Sequence, residues 1–135
     1  MPESMRAERF VERLEAHRSP EEAEKIQRYF KHGDGDMFIG VRMGHVFALA
    51  KACIDMPPEE IEKLLDNPIH EVRAGALSIM DKQARRKNTP ERRRQELFEL
   101  YVRRHDRINN WDLVDLGAPY VVGGYLFDKP RDLLY

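Results

Sequence analysis

Three observations predict an all-α fold, in which antiparallel helix pairs stack as an α-solenoid. Apolar residues recur every three or four positions through most of the 135-residue chain, which is the spacing of one helix face. Short turns marked by proline separate these segments, as in antiparallel helix pairs. No alternation of period two and no Asn-Gly hairpin turn is present, so nothing indicates a sheet.

The composition indicates one soluble globular domain over residues 1–135. The chain is 41% hydrophobic and 35% charged, which excludes the disordered and membrane-embedded classes. No run of about eighteen apolar residues is present, and the first ten residues lack an apolar signal core. The single Cys53 cannot form an intramolecular disulfide and is interpreted as a small buried hydrophobe. These features predict a cytoplasmic location and no membrane contact.

Two helices are predicted before the first glycine-rich segment. Apolar residues at helical spacing predict one from Ser4 to about His17. Ser19 and Pro20 then begin a second helix, with Glu22 placed for a capping box. The segment from His32 to Arg42 contains three glycines. We interpret it as a structural loop, because it lacks a phosphate-loop lysine and a complete calcium-ligand pattern for Asp34 and Asp36.

Four further helices are predicted in the middle of the chain. The first, from His45 to Ile54, is apolar on most sides and should lie inside the packing. Another begins at Pro57-Pro58, and a third runs from the Asp66-Asn67-Pro68 turn to about Arg85. Thr89-Pro90-Glu91 begins the fourth. Six apolar side chains are expected to be mostly buried: Phe47, Leu49, Val72, Leu77, Phe98 and Tyr101.

The stretch NNWDLVDLGAPY, residues 109–120, contains the only tryptophan of the chain. Its two asparagines are good N-cap residues, and Asp112 follows in the first turn, where the helix dipole favours a negative charge. Trp111 and Asp115 are four residues apart and share one helix face. An aromatic ring and a carboxylate are therefore expected to point outward together. Further helices are predicted over 120–127 and from residue 130 onward.

The formal net charge of -1 conceals a basic segment from Lys82 to Arg107, with ten basic and four acidic residues. Such a segment can bind a polyanion, although a solvated helix face is the ordinary interpretation. Arg92, Arg93 and Arg94 point in three directions on a helix, so about half of these charges could reach phosphate. The candidates for contact with a polyanion such as DNA are Arg85, Arg86, Lys87, Arg92 and Arg93. The five histidines show no metal-ligand spacing, and we predict no metal.

Residues 67–77, NPIHEVRAGAL, resemble the second helix of HEAT repeats, where a proline turn precedes a Val-Arg pair and small residues allow close packing. The predicted solenoid is therefore HEAT-like, similar to an ARM-repeat superhelix.

From about Tyr29 to Tyr135 the chain resembles the DNA alkylation repair family, whose better-known members are bacterial DNA glycosylases built from HEAT-like repeats. The resemblance rests on segments in a fixed order: Tyr29-Phe30-Lys31, DMFIGVR (36–42), NPIHEVR (67–73), NNWDLVDLGAPY (109–120), Gly124-Tyr125-Leu126 and RDLLY (131–135).

The resemblance implies excision of cationic N3- or N7-alkylated purines from double-stranded DNA, without a cofactor. It makes Asp115 the catalytic carboxylate and Trp111 an aromatic wall of the lesion cleft. The family continues past the position of Tyr135 with further helix pairs. We therefore expect this chain to correspond to the N-terminal part of a longer family fold, either as a fragment or as a natural short form. An uncapped C-terminal end predicts marginal stability or self-association.

Two alternatives to this activity stay open. A HEAT-like array can bind a protein along its concave face, and a relative without the chemistry can bind DNA and release no base. Salt-dependent binding to duplex DNA would separate the protein-binding alternative from the other two.

Overall fold

A computed structural model describes residues 5–29 and 37–104 of the protein. Within these ranges the chain forms six helices and, apart from one isolated parallel bridge between Met37 and Ile69, no β-structure. The prediction of an all-α fold is confirmed, while the stacking of helix pairs as a solenoid stays a prediction. The helices are α1 (Ala7–Glu15), α2 (Pro20–Tyr29), α3 (Met43–Ala52), α4 (Pro58–Leu65), α5 (His70–Arg85) and α6 (Glu91–Arg103).

The helix starts follow the predicted proline and capping signals. The backbone N–H of Glu22 donates to the Ser19 hydroxyl at 3.3 Å, which confirms Ser19 as the cap of α2. Helix α4 begins at Pro58, and α6 begins directly after Pro90. Helix α1 is shorter than predicted at both ends, because the pattern of apolar residues does not fix where a helix frays.

Helix α5 lies at the centre of the packing. It packs most extensively against α3 and α4, while α1 contacts α3 and α4, and α6 contacts α4 and α5. Thirteen of its 16 residues are buried, so α5 has almost no solvent face. The largest fully buried side chains of the core, including three of α5 itself, are Phe10, Leu14, Met56, Ile61, Leu64, Leu65, Leu77, Ile79, Met80, Leu97 and Leu100.

A glycine on α5 allows the α1 ring to approach closely. A Cβ atom built on Gly75 would lie 2.5 Å from Cζ of Phe10, and Phe10 is fully buried. This spacing is too short for carbon atoms in contact, so the small residue in the sequence AGA is a packing requirement.

The burial predictions were confirmed in part. Leu49, Val72 and Leu77 are buried, as is Cys53, but Phe98 and Tyr101 are only half-buried. The prediction for Phe47 was wrong, since 37% of the residue is exposed. Helix α3 is apolar on most sides yet packs mainly against α1 and α5. Phe47 stays partly open to solvent, with the ammonium of Lys82 on α5 5.7 Å from its ring centroid. The apolar composition of a helix does not determine how many neighbours it has.

A buried carboxylate on α5 holds the segment 37–41 in place. Glu71 accepts hydrogen bonds from the backbone N–H groups of Ile39 (3.2 Å), Gly40 (2.8 Å) and Val41 (3.1 Å). Gly40 has φ of 82°, and a Cβ there would lie 1.9 Å from the backbone oxygen of Ser19, so only glycine fits. Residues 37–41 thus form a structural loop, as predicted, whereas Asp34 and Asp36 lie outside the described residues.

A second long-range carboxylate caps α1, whose own N-cap residue provides no side-chain hydrogen bond. Glu60 of α4 accepts from the Ala7 backbone N–H at 2.9 Å and pairs with Lys63 at 2.9 Å. The hydrogen bond from Ala7, followed by that from Lys63, holds the pKa of Glu60 below its ordinary value. The start of α1 is therefore fixed to α4.

None of the helices within residues 5–29 and 37–104 is both long enough and apolar enough to cross a lipid bilayer.

Candidate nucleic-acid interface

The C-terminus of α5 is capped by side chains that follow it in the sequence. The Thr89 hydroxyl donates to the carbonyl of Gln83 at 2.6 Å. The Arg94 guanidinium donates to the carbonyl of Ala84, to that of Arg86 at 2.7 Å and to that of Thr89 at 3.3 Å. These contacts satisfy carbonyls that have no partner within the helix and place a cation at the negative end of its dipole. They fix the connection from α5 to α6.

A buried glutamine joins this connection to the turn between α3 and α4. The Gln83 amide donates to the carbonyls of Ile54 (2.7 Å) and Met56 (2.8 Å), and its oxygen accepts from Arg93 at 3.2 Å. Gln83 is fully buried, and these three bonds satisfy its polar atoms. The turn, the end of α5 and the first turn of α6 are thereby held in one arrangement.

An open pocket of about 390 Å³ lies where these three parts meet. We call it the arginine pocket, and its lining residues are Asp55, Arg86, Thr89, Pro90, Arg92, Arg93 and Glu96. Three guanidinium groups here face two carboxylates. The pocket therefore has a net positive charge and lies beside the N-terminus of α6, where the helix dipole is also positive.

The charges of the pocket are only partly paired. Arg86 binds Asp55 at 2.9 Å, and the Arg93 Nε atom lies 3.8 Å from a Glu96 oxygen. Arg93 Nε is buried without a hydrogen-bond partner among the described residues. Arg92 is exposed and forms no ion pair within residues 5–29 and 37–104. The pocket can therefore accept an anion from solvent.

The structure brings together three of the five predicted DNA-contact residues, namely Arg86, Arg92 and Arg93. Arg85 is exposed but pairs with Asp81 at 3.1 Å, outside the pocket. Lys87 is exposed in the turn after α5 and does not line the pocket. Arg94, the third residue of the arginine triplet, caps α5 and is therefore a structural residue.

The far end of α6 is also engaged in ion pairs. Glu62 of α4 binds Arg103 at 3.1 Å and Arg104 at 2.7 Å, and Arg104 also binds Asp66 at 3.2 Å. These hydrogen bonds, Arg103 first, hold the pKa of Glu62 below its ordinary value. The positive charge of the basic segment is thus partly neutralised by α4, which the sequence alone did not indicate.

Trp111, Asp112 and Asp115 lie outside the described residues, as do the helices predicted over 109–117, over 120–127 and after residue 130. The predicted lesion cleft therefore stays a prediction.

Among the described residues, two histidines contact each other where α3 meets the residues after α1. The rings of His17 and His45 lie 4.4 Å apart, beside a second pocket lined also by Arg13 and Leu49. Across the described part of the chain, no group of three or more His, Cys, Asp or Glu residues could hold a metal ion.

Residues 10–135 match the family model described as DNA alkylation repair enzyme. The chain belongs to this family. Membership in the DNA alkylation repair family gives the protein a role in DNA repair, with DNA as its partner. Neither the search of curated proteins nor the search of solved structures returned a match.

The match covers both segments that the hydrogen bonds to Glu71 join, residues 37–42 and 67–73. It also covers the whole arginine pocket. Sequence reasoning missed four residues that form or support the pocket: Asp55, Gln83, Thr89 and Glu96. A signal existed for Gln83, because it follows Val72, Ala76, Ile79 and Met80 on the apolar side of α5, where a polar group needs a partner. Asp55 gave no such signal.

Proposed function

We propose that the protein removes cationic N3- or N7-alkylated purines from duplex DNA by hydrolysing the N-glycosidic bond. One observation carries this proposal: the family match spans residues 10–135 and so includes the stretch NNWDLVDLGAPY. In the proposal, Asp115 is the catalytic carboxylate and Trp111 is an aromatic wall of the lesion cleft.

The chemistry suits a carboxylate and an indole. An alkylated purine is already cationic, so it can leave with the bonding electrons and become neutral without being protonated. The sugar then carries the positive charge, which a fixed carboxylate stabilises, and the same carboxylate can orient water for attack on C1′. As the new C–O bond forms, the water gives its proton to the Asp115 carboxylate, which then releases it to solvent. The electron-rich face of Trp111 attracts the cationic nucleotide, and no cofactor takes part in the proposed reaction.

Five basic residues supply the proposed contacts to DNA. Arg85, Arg86, Lys87, Arg92 and Arg93 follow one another across the end of α5 and the start of α6. Each phosphate that they neutralise releases condensed counterions. In the proposed HEAT-like solenoid this region belongs to a continuous surface along which a duplex lies.

Release of free base tests the proposal. Duplex DNA treated with a methylating agent is incubated with the protein, and 7-methylguanine in the supernatant is measured by chromatography. We expect release above that of methylated DNA in buffer alone, and none from unmethylated duplex. Binding to DNA without any release above the buffer control would instead support the non-catalytic DNA-binding alternative.

A further inference from the structure

We propose that the arginine pocket binds one phosphate group of a nucleic acid, and that this phosphate displaces Asp55 from Arg86. The inference rests on the proposed function for the kind of ligand, since DNA supplies the phosphate. It goes beyond the proposed function because it assigns the phosphate to one pocket, names the arginines that bind it, and names Asp55 as the carboxylate that competes with it.

Chemistry favours phosphate as the ligand. A guanidinium presents its N–H donors in a planar fork that matches two phosphate oxygens, and the pocket contains three such groups. Arg92 is unpaired within the described part of the chain, and the buried Arg93 Nε has no hydrogen-bond partner there. The exposed Arg92 guanidinium is therefore available to a phosphate before any existing bond is broken, whereas the Arg93 Nε atom is buried.

The arginines are held where a phosphate could meet them. Arg93 donates to the fully buried Gln83, and the backbone carbonyl of Arg86 accepts from Arg94. Helix α6 has no side-chain cap at its N-terminus, so its positive dipole end adds to the field of the arginines. A preorganised site loses less conformational entropy on binding.

Asp55 competes with the phosphate for Arg86 and so weakens this binding. Its side chain is 66% exposed and pairs with Arg86, whose side chain is 34% exposed, at 2.9 Å. An exposed pair of this kind is weakly held, so a phosphate that already contacts Arg92 and Arg93 can replace the carboxylate. Removing the charge of Asp55 should therefore strengthen nucleic-acid binding, a gain that unfolding cannot imitate.

Two variants with matched controls test the proposal on undamaged DNA. Arg92→Ala removes an unpaired cation of the pocket, and Asp55→Asn releases Arg86. The exposed pair of Arg9 and Glu12 on α1, 3.0 Å apart, supplies the controls: Arg9→Ala and Glu12→Gln change the net charge equally, away from the pocket. Affinity is measured against salt concentration for a closed dumbbell duplex and for a linear duplex with 5′-phosphates.

We expect Asp55→Asn to bind about two- to fivefold more tightly than the parent, which is the scale of an exposed ion pair. Arg92→Ala should weaken binding and reduce the logarithmic salt slope by about 0.9, the value for one phosphate contact. The two control variants should stay close to the parent. Equal effects on both probes would assign the site to the DNA backbone, and effects on the linear probe alone would assign it to a terminal phosphate.

The inference is overturned if the parent binds neither probe, if Asp55→Asn binds no more tightly than Glu12→Gln, or if Arg92→Ala keeps the slope of Arg9→Ala. Because these measurements use undamaged DNA, they are independent of base release. The glycosylase proposal can fail while the phosphate site stands, and the reverse also holds.

Discussion

The carboxylate of Glu71 accepts a hydrogen bond from the backbone N–H of Gly40 at 2.8 Å, across 31 residues of the chain. The flanking N–H groups of Ile39 and Val41 donate to the same side chain. This contact joins residues 37–42 to residues 67–73, and both ranges belong to segments on which the resemblance to the DNA alkylation repair family rests. Glu71 is 1% exposed, so it belongs to the interior of the fold and not to a binding surface.

Glu71→Gln should therefore destabilise the protein. The amide has one oxygen to accept hydrogen bonds, and its NH₂ group would face backbone donors. We expect the free energy of unfolding to fall by about 2–3 kcal/mol, as for loss of hydrogen bonds to a buried charged group. Denaturant unfolding measures it. The control Glu59→Gln, at an exposed position of α4, should change stability by less than about 0.5 kcal/mol, and equal losses in both would contradict the role of Glu71.

Gly75→Ala should lower stability, whereas Gly44→Ala should raise it. Both glycines lie within helices, where alanine is favoured by about 0.5–1 kcal/mol. A Cβ at Gly44 meets nothing within 4 Å, but at Gly75 it meets the buried Phe10 ring at 2.5 Å. We expect a net loss of about 1–3 kcal/mol for Gly75→Ala from overpacking.

Thermal or denaturant unfolding compares these two variants with the parent. Phe10→Leu in the Gly75→Ala background should recover part of the loss, because the two side chains share one space. Equal stability of Gly75→Ala and Gly44→Ala would contradict the close packing of the Phe10 ring against Gly75.

Local signals predicted most of the helices but few of the contacts that hold them together. Ser19, Pro58 and Pro90 act within one turn of their own helix, so the sequence near them is sufficient. Glu60 and Glu71 instead bond to backbone groups 53 and 30 to 32 residues away, and helical periodicity contains no information on such partners. The error at Phe47 has the same origin, since burial depends on which helices pack nearby.

For the candidate site, the sequence predicted the region but not the role of each arginine. Charge density identified the region containing Arg86, Arg92 and Arg93, which line one pocket. It could not separate them from Arg94, because all of these residues look alike in a charged run. Only the folded structure shows that Arg94 donates to carbonyls of α5 and its following turn.

Stability should fall with acid in a way that depends on Glu60. Its pKa is lowered in the folded protein by the Ala7 N–H and by Lys63, so its contribution is present above the ordinary value of 4.5 and is lost as pH falls below it. Burial raises the pKa of Asp81, so protonation of Asp81 favours the folded state as the pH falls, which is opposite to the effect of Glu60. Comparison of Glu60→Gln with the parent leaves Asp81 unchanged and isolates Glu60.

Glu60→Gln should cost about 1–2 kcal/mol at neutral pH, and the difference from the parent should shrink as the pH is lowered below 4.5. Denaturant unfolding across this range provides the measurement. A difference that is independent of pH would show that the charge of Glu60 does not contribute.

Arg94 and Arg92 should separate stability from DNA binding within one helix turn. Arg94→Ala leaves carbonyls at the end of α5 without a partner and should lower the free energy of unfolding by about 1–3 kcal/mol, with little change in the salt slope of DNA binding. Arg92→Ala should change stability by less than about 0.5 kcal/mol and flatten the slope. Unfolding and salt titration of both variants reveal the pattern, and the reverse pattern would contradict the assignment of the arginine pocket.

The role of Asp115 is the central claim, and Asp112 supplies its matched control three residues earlier. Asp115→Asn preserves volume while removing the charge proposed to stabilise the cationic sugar. Loss of one preorganised electrostatic group typically lowers a rate by about 10²–10³-fold, and DNA affinity should change far less. Asp112→Asn removes only a charge in the first turn of the predicted helix, where such a charge contributes about 0.3–1 kcal/mol to stability.

Single-turnover release of 7-methylguanine from methylated duplex, measured for the parent and both variants, is the most direct test. We expect release by Asp115→Asn to be slower than that of the parent by about 10²–10³-fold while Asp112→Asn stays near the parent rate. Equal rates for Asp115→Asn and the parent would remove Asp115 from the mechanism, and a larger loss in Asp112→Asn would make Asp112 the catalytic carboxylate instead.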